Sequence, residues 1–287
     1  MEQAKPIRPA ATVIVTVPSS SPSKPGIPDY EIFMVKRSHG SGFMAGAHVF
    51  PGGIVDDHDK VGWLPEGLGE VSEAHLEHSF RIAAIRELFE ETGILVVDPT
   101  SAREKLDAPE IESWRSRVHE DASAFSLLCE ELNCAPATDL LIPWARWITP
   151  PQEKRRYDAR FYIINLETQP YAIHDDQETI SSTWLNPADA LEAAESGEIF
   201  LPPPTWLTFR ELVNLKSQKE LISAASKKSP WEPICPHLRF EEDQFVLLLP
   251  GDEENPDVQG KPGMVHRILL KNGRYQYIAP QEQPSRS

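Results

Sequence analysis

The run Arg86-Glu87-Leu88-Phe89-Glu90-Glu91-Thr92-Gly93-Ile94 constrains this chain more than any other, because it crowds three like charges onto a short, strongly helical stretch. At roughly 100° per residue, Ile82, Ile85 and Phe89 fall on one face of that helix. Glu87, Glu90 and Glu91 fall on a stripe roughly opposite, with the small Ala83 and Ala84 beside them. Gly93 follows as a left-handed C-cap. One reading is an ordinary solvated helix face. The other is that something strongly positive sits between the carboxylates.

Two details favour the second reading. Like charges one turn apart repel by a few tenths of a kcal/mol. Glu90 and Glu91 also stand at the helix C-terminus, where the macrodipole disfavours anions and a helix built for stability carries Lys or Arg. Hard carboxylate oxygens at a point of negative potential suit Mg²⁺ or Mn²⁺.

The nine residues resemble the second half of the signature of the Nudix hydrolases, and Pro51-Gly52-Gly53 upstream is also typical of that family. The resemblance implies an α/β fold, a mixed β-sheet sandwiched between helices. It implies hydrolysis of a nucleoside diphosphate linked to another group. By matched position, Glu87, Glu90 and Glu91 bind the divalent cation and Arg86 orients a glutamate by an ion pair. A glutamate serves as general base; Glu87, Glu90 and Glu178, the last matching a downstream family glutamate near the metal, are the candidates. One departure stands out. Arg86 lies 33 positions after Gly53, about twenty more than an uninterrupted motif allows and long for a loop in a compact domain. Counting back from Arg86, the position of the motif's early glutamate holds His78.

The substrate reading comes from flanking residues. Arg37-Ser38, Gly46 and Phe50-Pro51-Gly52-Gly53 match the spacing seen in coenzyme A diphosphatases of the family, although Gly42 stands where a second arginine belongs. The split motif, with "WARWITP" and "RRYDARFYI" after it, resembles the subgroup that contains the peroxisomal acyl-coenzyme A diphosphatase. Arg37, Arg155, Arg156 and Arg160 are candidates for meeting phosphate, because guanidinium matches phosphate in fork geometry. Gly52 and Gly53 are candidates at the substrate site. The expected reaction is cleavage of CoA or acyl-CoA to 3′,5′-ADP and (acyl-)phosphopantetheine. ADP-ribose, NADH or another nucleoside diphosphate derivative is the alternative substrate, and a non-catalytic nucleotide-sensing module is the alternative class. Trp144 and Trp147 read as core residues rather than base-stacking platforms, and His39, His48 and His78 as structural or exposed.

Bulk properties set limits. With 28 basic and 44 acidic residues, the net charge of −16 argues against non-specific binding to nucleic acid or an anionic membrane. A small nucleotide remains compatible, since a local cation reverses the field in one cleft. No stretch of sequence is long enough to span a membrane. Three cysteines without a Cys-x-x-Cys pair fit a reducing compartment, cytoplasmic by default; family members also occupy peroxisomes and mitochondria. The terminal Ser285-Arg286-Ser287 lacks the leucine of a peroxisomal tripeptide.

Strands are expected at Ala11–Val17, Glu31–Lys36, Ala47–Phe50, Ile94–Val97, Pro143–Ile148 and Ala159–Leu166. Late strands are expected at Phe245–Leu249, Val265–Leu270 and Tyr275–Ile278, the last two joined at Asn272-Gly273. Helices are expected after Asn186-Pro187 and from "LPPPTWLTFREL". We divide the chain into a Nudix domain over 8–215, with an exposed insertion at 54–74 and a helical elaboration at 100–137, and a C-terminal extension over 216–287 carrying extra helices and strands.

Overall fold

A computed structural model of the chain describes residues 6–20, 25–38, 44–61, 73–170, 179–241, 244–258, 264–271 and 273–279. Glu178, His39, Gly42, Asn272 and the terminal tripeptide lie outside them. The strands in chain order are β1 (Ile7–Pro18), β2 (Tyr30–Arg37), β3 (His48–Val49), β4 (Gly52–Ile54), β5 (Val97–Asp98), β6 (Ala135–Pro136), β7 (Ile142–Ile148), β8 (Arg156–Asn165), β9 (Thr179–Leu185), β10 (Pro233–Ile234), β11 (His237–Glu241), β12 (Gln244–Leu248), β13 (Arg267–Lys271) and β14 (Arg274–Ile278). The helices are α1 (Asp57–Val61), α2 (Glu73–Thr92), α3 (Ala108–Glu120), α4 (Ala124–Leu132), α5 (Pro187–Ser196), α6 (Pro203–Leu212) and α7 (Gln218–Ala225).

The central strand is β1. It runs parallel to β8 from Ile7↔Arg156 to Thr16↔Asn165. Its other edge is shared: β2 pairs antiparallel with Thr16–Pro18, and β4 pairs antiparallel with Ala10–Thr12. Between them Val13 N–H donates to Pro51 O at 2.9 Å. Outward from there, β9 joins β2, and β7 and β10 extend the sheet beyond β8. Because side chains alternate along a strand, β1 feeds two cores. Ala11, Val13 and Val15 pack with α2, α3 and α4, whereas Ile14 packs on the opposite face with Trp144, Phe209 and Leu221.

That opposite face is covered by α5, α6 and α7 and by a second, antiparallel sheet in the order β11-β12-β13-β14. Leu238, Leu247, Leu249 and Ile268 of the C-terminal segment share this core with Trp206 and Phe209, and β10 pairs parallel with β7. Among the described residues no helix is long and apolar enough to cross a membrane.

Several elements depart from the sequence expectation. Only Val97 of Ile94–Val97 enters a ladder, pairing with Pro136, although Ile94, Leu95 and Val96 are buried. Burial, not strand pairing, explains that apolar run. The side of α2 opposite Ile82, Ile85 and Phe89 is not a solvated face: from Ser79 to Thr92 the helix is buried nearly all round, Leu88, Ala83, Ala84 and Glu91 included, while Glu87 and Glu90 stay partly exposed. The sheet lies on one side of α2, while α1 and α3 pack on others. Short helix α1 forms inside the expected excursion at 54–74. Trp144 and Trp147 are both buried in the second core.

Candidate active site

The site forms where β1 changes partners. Gly52 has φ +153°, and a Cβ there would stand 2.2 Å from Ala11 O, so only glycine lets β4 approach β1 this closely. A Cβ on Gly53 would meet the carboxylate of Glu87 at 2.4–2.6 Å. Gly52 thus lets β4 close on β1, and Gly53 removes the side chain that would keep α2 away from the sheet edge. Gly52 N–H then donates to Glu91 Oε2 at 2.9 Å.

Arg86 organises the acids around it. Its Nη1 donates to Glu90 Oε2 at 3.0 Å and its Nη2 to Glu87 Oε1 at 3.0 Å. Nη2 also reaches Ile54 O at 2.9 Å. Nε and Nη2 bind Asp59 Oδ1 and Oδ2, each at 2.9 Å. Flanking carboxylates raise the basicity of the buried guanidinium despite its desolvation. Asp59 was missed by the sequence reading, which placed the early acid at His78 by counting back from Arg86. Counting forward from Gly53 reaches Asp59 in six steps, so the excursion follows the acid instead of preceding it.

Two further residues escaped the sequence. His119 Nδ1 lies 2.9 Å from Glu90 Oε1. Arg115, also on α3, donates from Nε to Glu90 O at 3.0 Å and from Nη2 to Glu91 O at 2.8 Å. A cation thereby caps the carbonyls that α2 leaves unpaired at its C-terminus. Both come from a helix remote in sequence, which no local pattern announces. Gly93, by contrast, has the expected left-handed φ of 75°, and its N–H donates to Phe89 O.

Glu87, Glu90 and Glu91 line one wall of a cleft of about 550 Å³, together with Gly52, Gly53, Arg8, Arg37 and Arg155. The rest of its lining is mostly apolar, including Trp147, Phe161, Phe245 and Leu247, with Glu153 and Tyr157 among them. Burial is the largest influence on Glu87 and pushes its carboxyl up to about 8; Arg86 opposes this and Glu90 reinforces it.

Of the expected phosphate-binding arginines, the structure brings Arg37 and Arg155 to the cleft and not the other two. Arg160 is a correction: it is buried on the other face of β8, paired with Glu77 and lying 4.1 Å over the Phe80 ring. Strand alternation decides this, since Tyr157, Ala159 and Phe161 take the cleft face. Arg156 donates from Nε to Thr149 O at 3.1 Å and does not line the cleft. Glu178 lies outside the described residues. Arg8, unforeseen, lines the cleft from the start of β1.

A glycine-cleared sheet edge against a helix carrying Arg86 and three glutamates, on this mixed sheet, defines the site of a Nudix hydrolase. The family model described as the NUDT19 Nudix domain matches residues 7–66 and 68–212, and the chain belongs to that family. It is 36% identical to "Acyl-coenzyme A diphosphatase NUDT19" of Gallus gallus, over 92% of this chain and 89% of that protein. It is 32% identical to the Homo sapiens protein of the same name, over 83% and 75% of the two chains. In fold it is similar to a NUDIX hydrolase from Alicyclobacillus acidocaldarius, with a TM-score of 0.60 over 79% of this chain and 98% of that one, at 23% identity.

Proposed function

We propose that this chain hydrolyses the diphosphate bond of CoA or acyl-CoA, releasing 3′,5′-ADP and (acyl-)phosphopantetheine. Glu87, Glu90 and Glu91 hold Mg²⁺ or Mn²⁺ in this reading. The observation that carries it is that one cleft joins three carboxylates, three arginines and a long apolar wall. The names of the relatives supply the substrate class.

The donor set fits a hard divalent ion. All three ligands are carboxylates, and burial of Glu87 leaves its charge incompletely balanced by Arg86. Among the described residues no group of three or more His, Cys, Asp or Glu side chains is drawn together closely enough to hold an ion by itself. When bound, such an ion neutralises diphosphate charge and lowers the pKa of a water.

The protein's own residues do the rest. Arg86 holds Glu87 and Glu90 at fixed angles, Gly52 N–H fixes Glu91, and His119 fixes the second oxygen of Glu90. Arg8, Arg37 and Arg155 line the same cleft, and guanidinium pairs with phosphate in fork geometry. A glutamate among Glu87, Glu90 and Glu178 accepts a proton as water attacks one phosphorus. The bridging oxygen leaves on the other.

The test is turnover of CoA, acyl-CoAs, ADP-ribose and NADH with Mg²⁺ or Mn²⁺, beside a Glu90→Gln/Glu91→Gln variant. Metal-dependent release of 3′,5′-ADP, lost in the variant, is expected. Cleavage of ADP-ribose with CoA inert overturns the substrate, and equal activity in the variant overturns the site.

A further inference from the structure

The C-terminal sheet carries one apolar face that protein covers only in part. Across β11 and β12, Leu238 stands opposite Leu247 and Phe240 opposite Phe245. The same row continues from Phe245 to Leu270 on β13 and to Tyr275 on β14. At the β14 end this face is closed by α6, with the rings of Tyr275 and Trp206 5.0 Å apart. At the β11–β12 end Leu238, Phe245 and Leu247 line the active-site cleft instead.

Phe240 is the outermost member. It is 74% exposed, and its ring stands edge-on to Phe245 at 4.8 Å and 83°. A lone exposed phenyl needs no explanation, but one that extends a continuous apolar wall out of a cleft marks a place where ligand completes the burial. The charges of β11 are on its other face, where Arg239 pairs with Glu241 and Glu254. Among the described residues of β11, Arg239 and Glu241 therefore lie away from the apolar row.

We propose that the uncovered end of this sheet is the subsite for the acyl chain of a thioester substrate, with Phe240 and Phe245 as its outer wall. The inference rests on the proposed CoA-ester activity and adds which residues set preference among esters. The occupant is argued from continuity: one cleft runs from the glutamates to this wall, so a ligand anchored by its diphosphate extends its far end along it.

Each methylene moved from water onto such a wall raises affinity about fourfold. In the wild type, kcat/KM relative to unacylated CoA should climb at about that rate along a series of straight-chain acyl-CoAs, mostly through KM. In Phe240→Ser and Phe245→Ala, each normalised to its own rate on CoA, the climb should flatten. Acyl-pantetheines, which lack the diphosphate, supply a second readout by quenching of tryptophan fluorescence, since Trp147 lines the cleft. Chain-length-dependent binding of these probes, weakened in both variants, supports the subsite even if CoA esters are not hydrolysed, in which case only the activity reading fails. Hydrolysis of CoA esters with no dependence on chain length, or a dependence unchanged in both variants, overturns the subsite while leaving the activity intact.

Discussion

Asp59 grips Arg86 with both carboxylate oxygens, each 2.9 Å from its guanidinium nitrogen, and the two side chains are 2% and 4% exposed. The pair ties the short helix α1 to α2 across 27 positions of sequence. It also leaves Nη1 of Arg86 aimed at Glu90, while Nη2 is shared between Asp59 and Glu87. An aspartate from the interrupted stretch thereby sets the angle of the acids that line the cleft.

Asp59→Ala leaves Arg86 buried with its fork half filled. Loss of about 3 kcal/mol of stability is expected, the lower end for breaking a buried pair, because Ile54 O, Glu87 and Glu90 still hold the guanidinium. Urea unfolding checks this, and kcat measured below the transition should fall because Asp59 no longer fixes the angle at which Arg86 holds Glu87 and Glu90.

Gly53→Ala places a methyl group 2.4–2.6 Å from the Glu87 carboxylate. The side chain yields more readily than the backbone, so the fold should survive. A displacement near 1 Å in the reacting constellation lowers turnover about a hundredfold. Activity assays beside a circular-dichroism melt separate the two effects: kcat should drop with little change in Tm.

The buried carboxyl of Glu87, raised to about 8 against an ordinary 4.5, links stability to pH. The folded chain holds this proton between those values while the unfolded chain has released it. Stability contributed by the group is therefore present at low pH and is lost as pH rises towards 8. The Tm of the metal-free protein should fall over that window, and Glu87→Gln should remove that part of the slope. Added Mg²⁺ should raise Tm more at pH 8.5 than at pH 6, since the cation competes with the proton.

His119 Nδ1 stands 2.9 Å from Glu90 Oε1. His119→Ala should raise the Mg²⁺ concentration for half-maximal activity by about 10- to 100-fold, as loss of a group that orients a ligand does. His119→Gln, which can still donate a hydrogen bond, should recover part of it. A metal titration of activity reads both.

Much of the frame is local and was readable as such. The apolar period of Ala11–Val17, the capping pair Asn186-Pro187 and Gly93 each act within a few residues, and β1, α5 and the end of α2 form as they imply. Strand β9 went unread because "TISSTWL" carries no clean alternation; its register is imposed by pairing with β2. Strand β11 and helix α7 were likewise missed, being short elements that are stable only against the second core. Among the arginines, Arg160 and Arg155 looked equivalent until alternation along β8 sent Arg160 into an ion pair, while Arg155, just ahead of β8, stays at the cleft.

The sequence alone determined the chemistry on α2: three carboxylates and an arginine at helical spacing, closed by a glycine, with two glycines upstream. Helical periodicity and backbone sterics are short-range, so nine residues suffice to state them. Only the tertiary structure decided which groups attend those carboxylates. Asp59 holds Arg86 across 27 positions, Arg115 caps the Glu90 carbonyl across 25, and His119 meets the Glu90 carboxylate across 29, and the C-terminal sheet contributes to the cleft from the other end of the chain. Burial makes each of these contacts consequential, because a charge withdrawn from water must find a partner wherever the fold brings one.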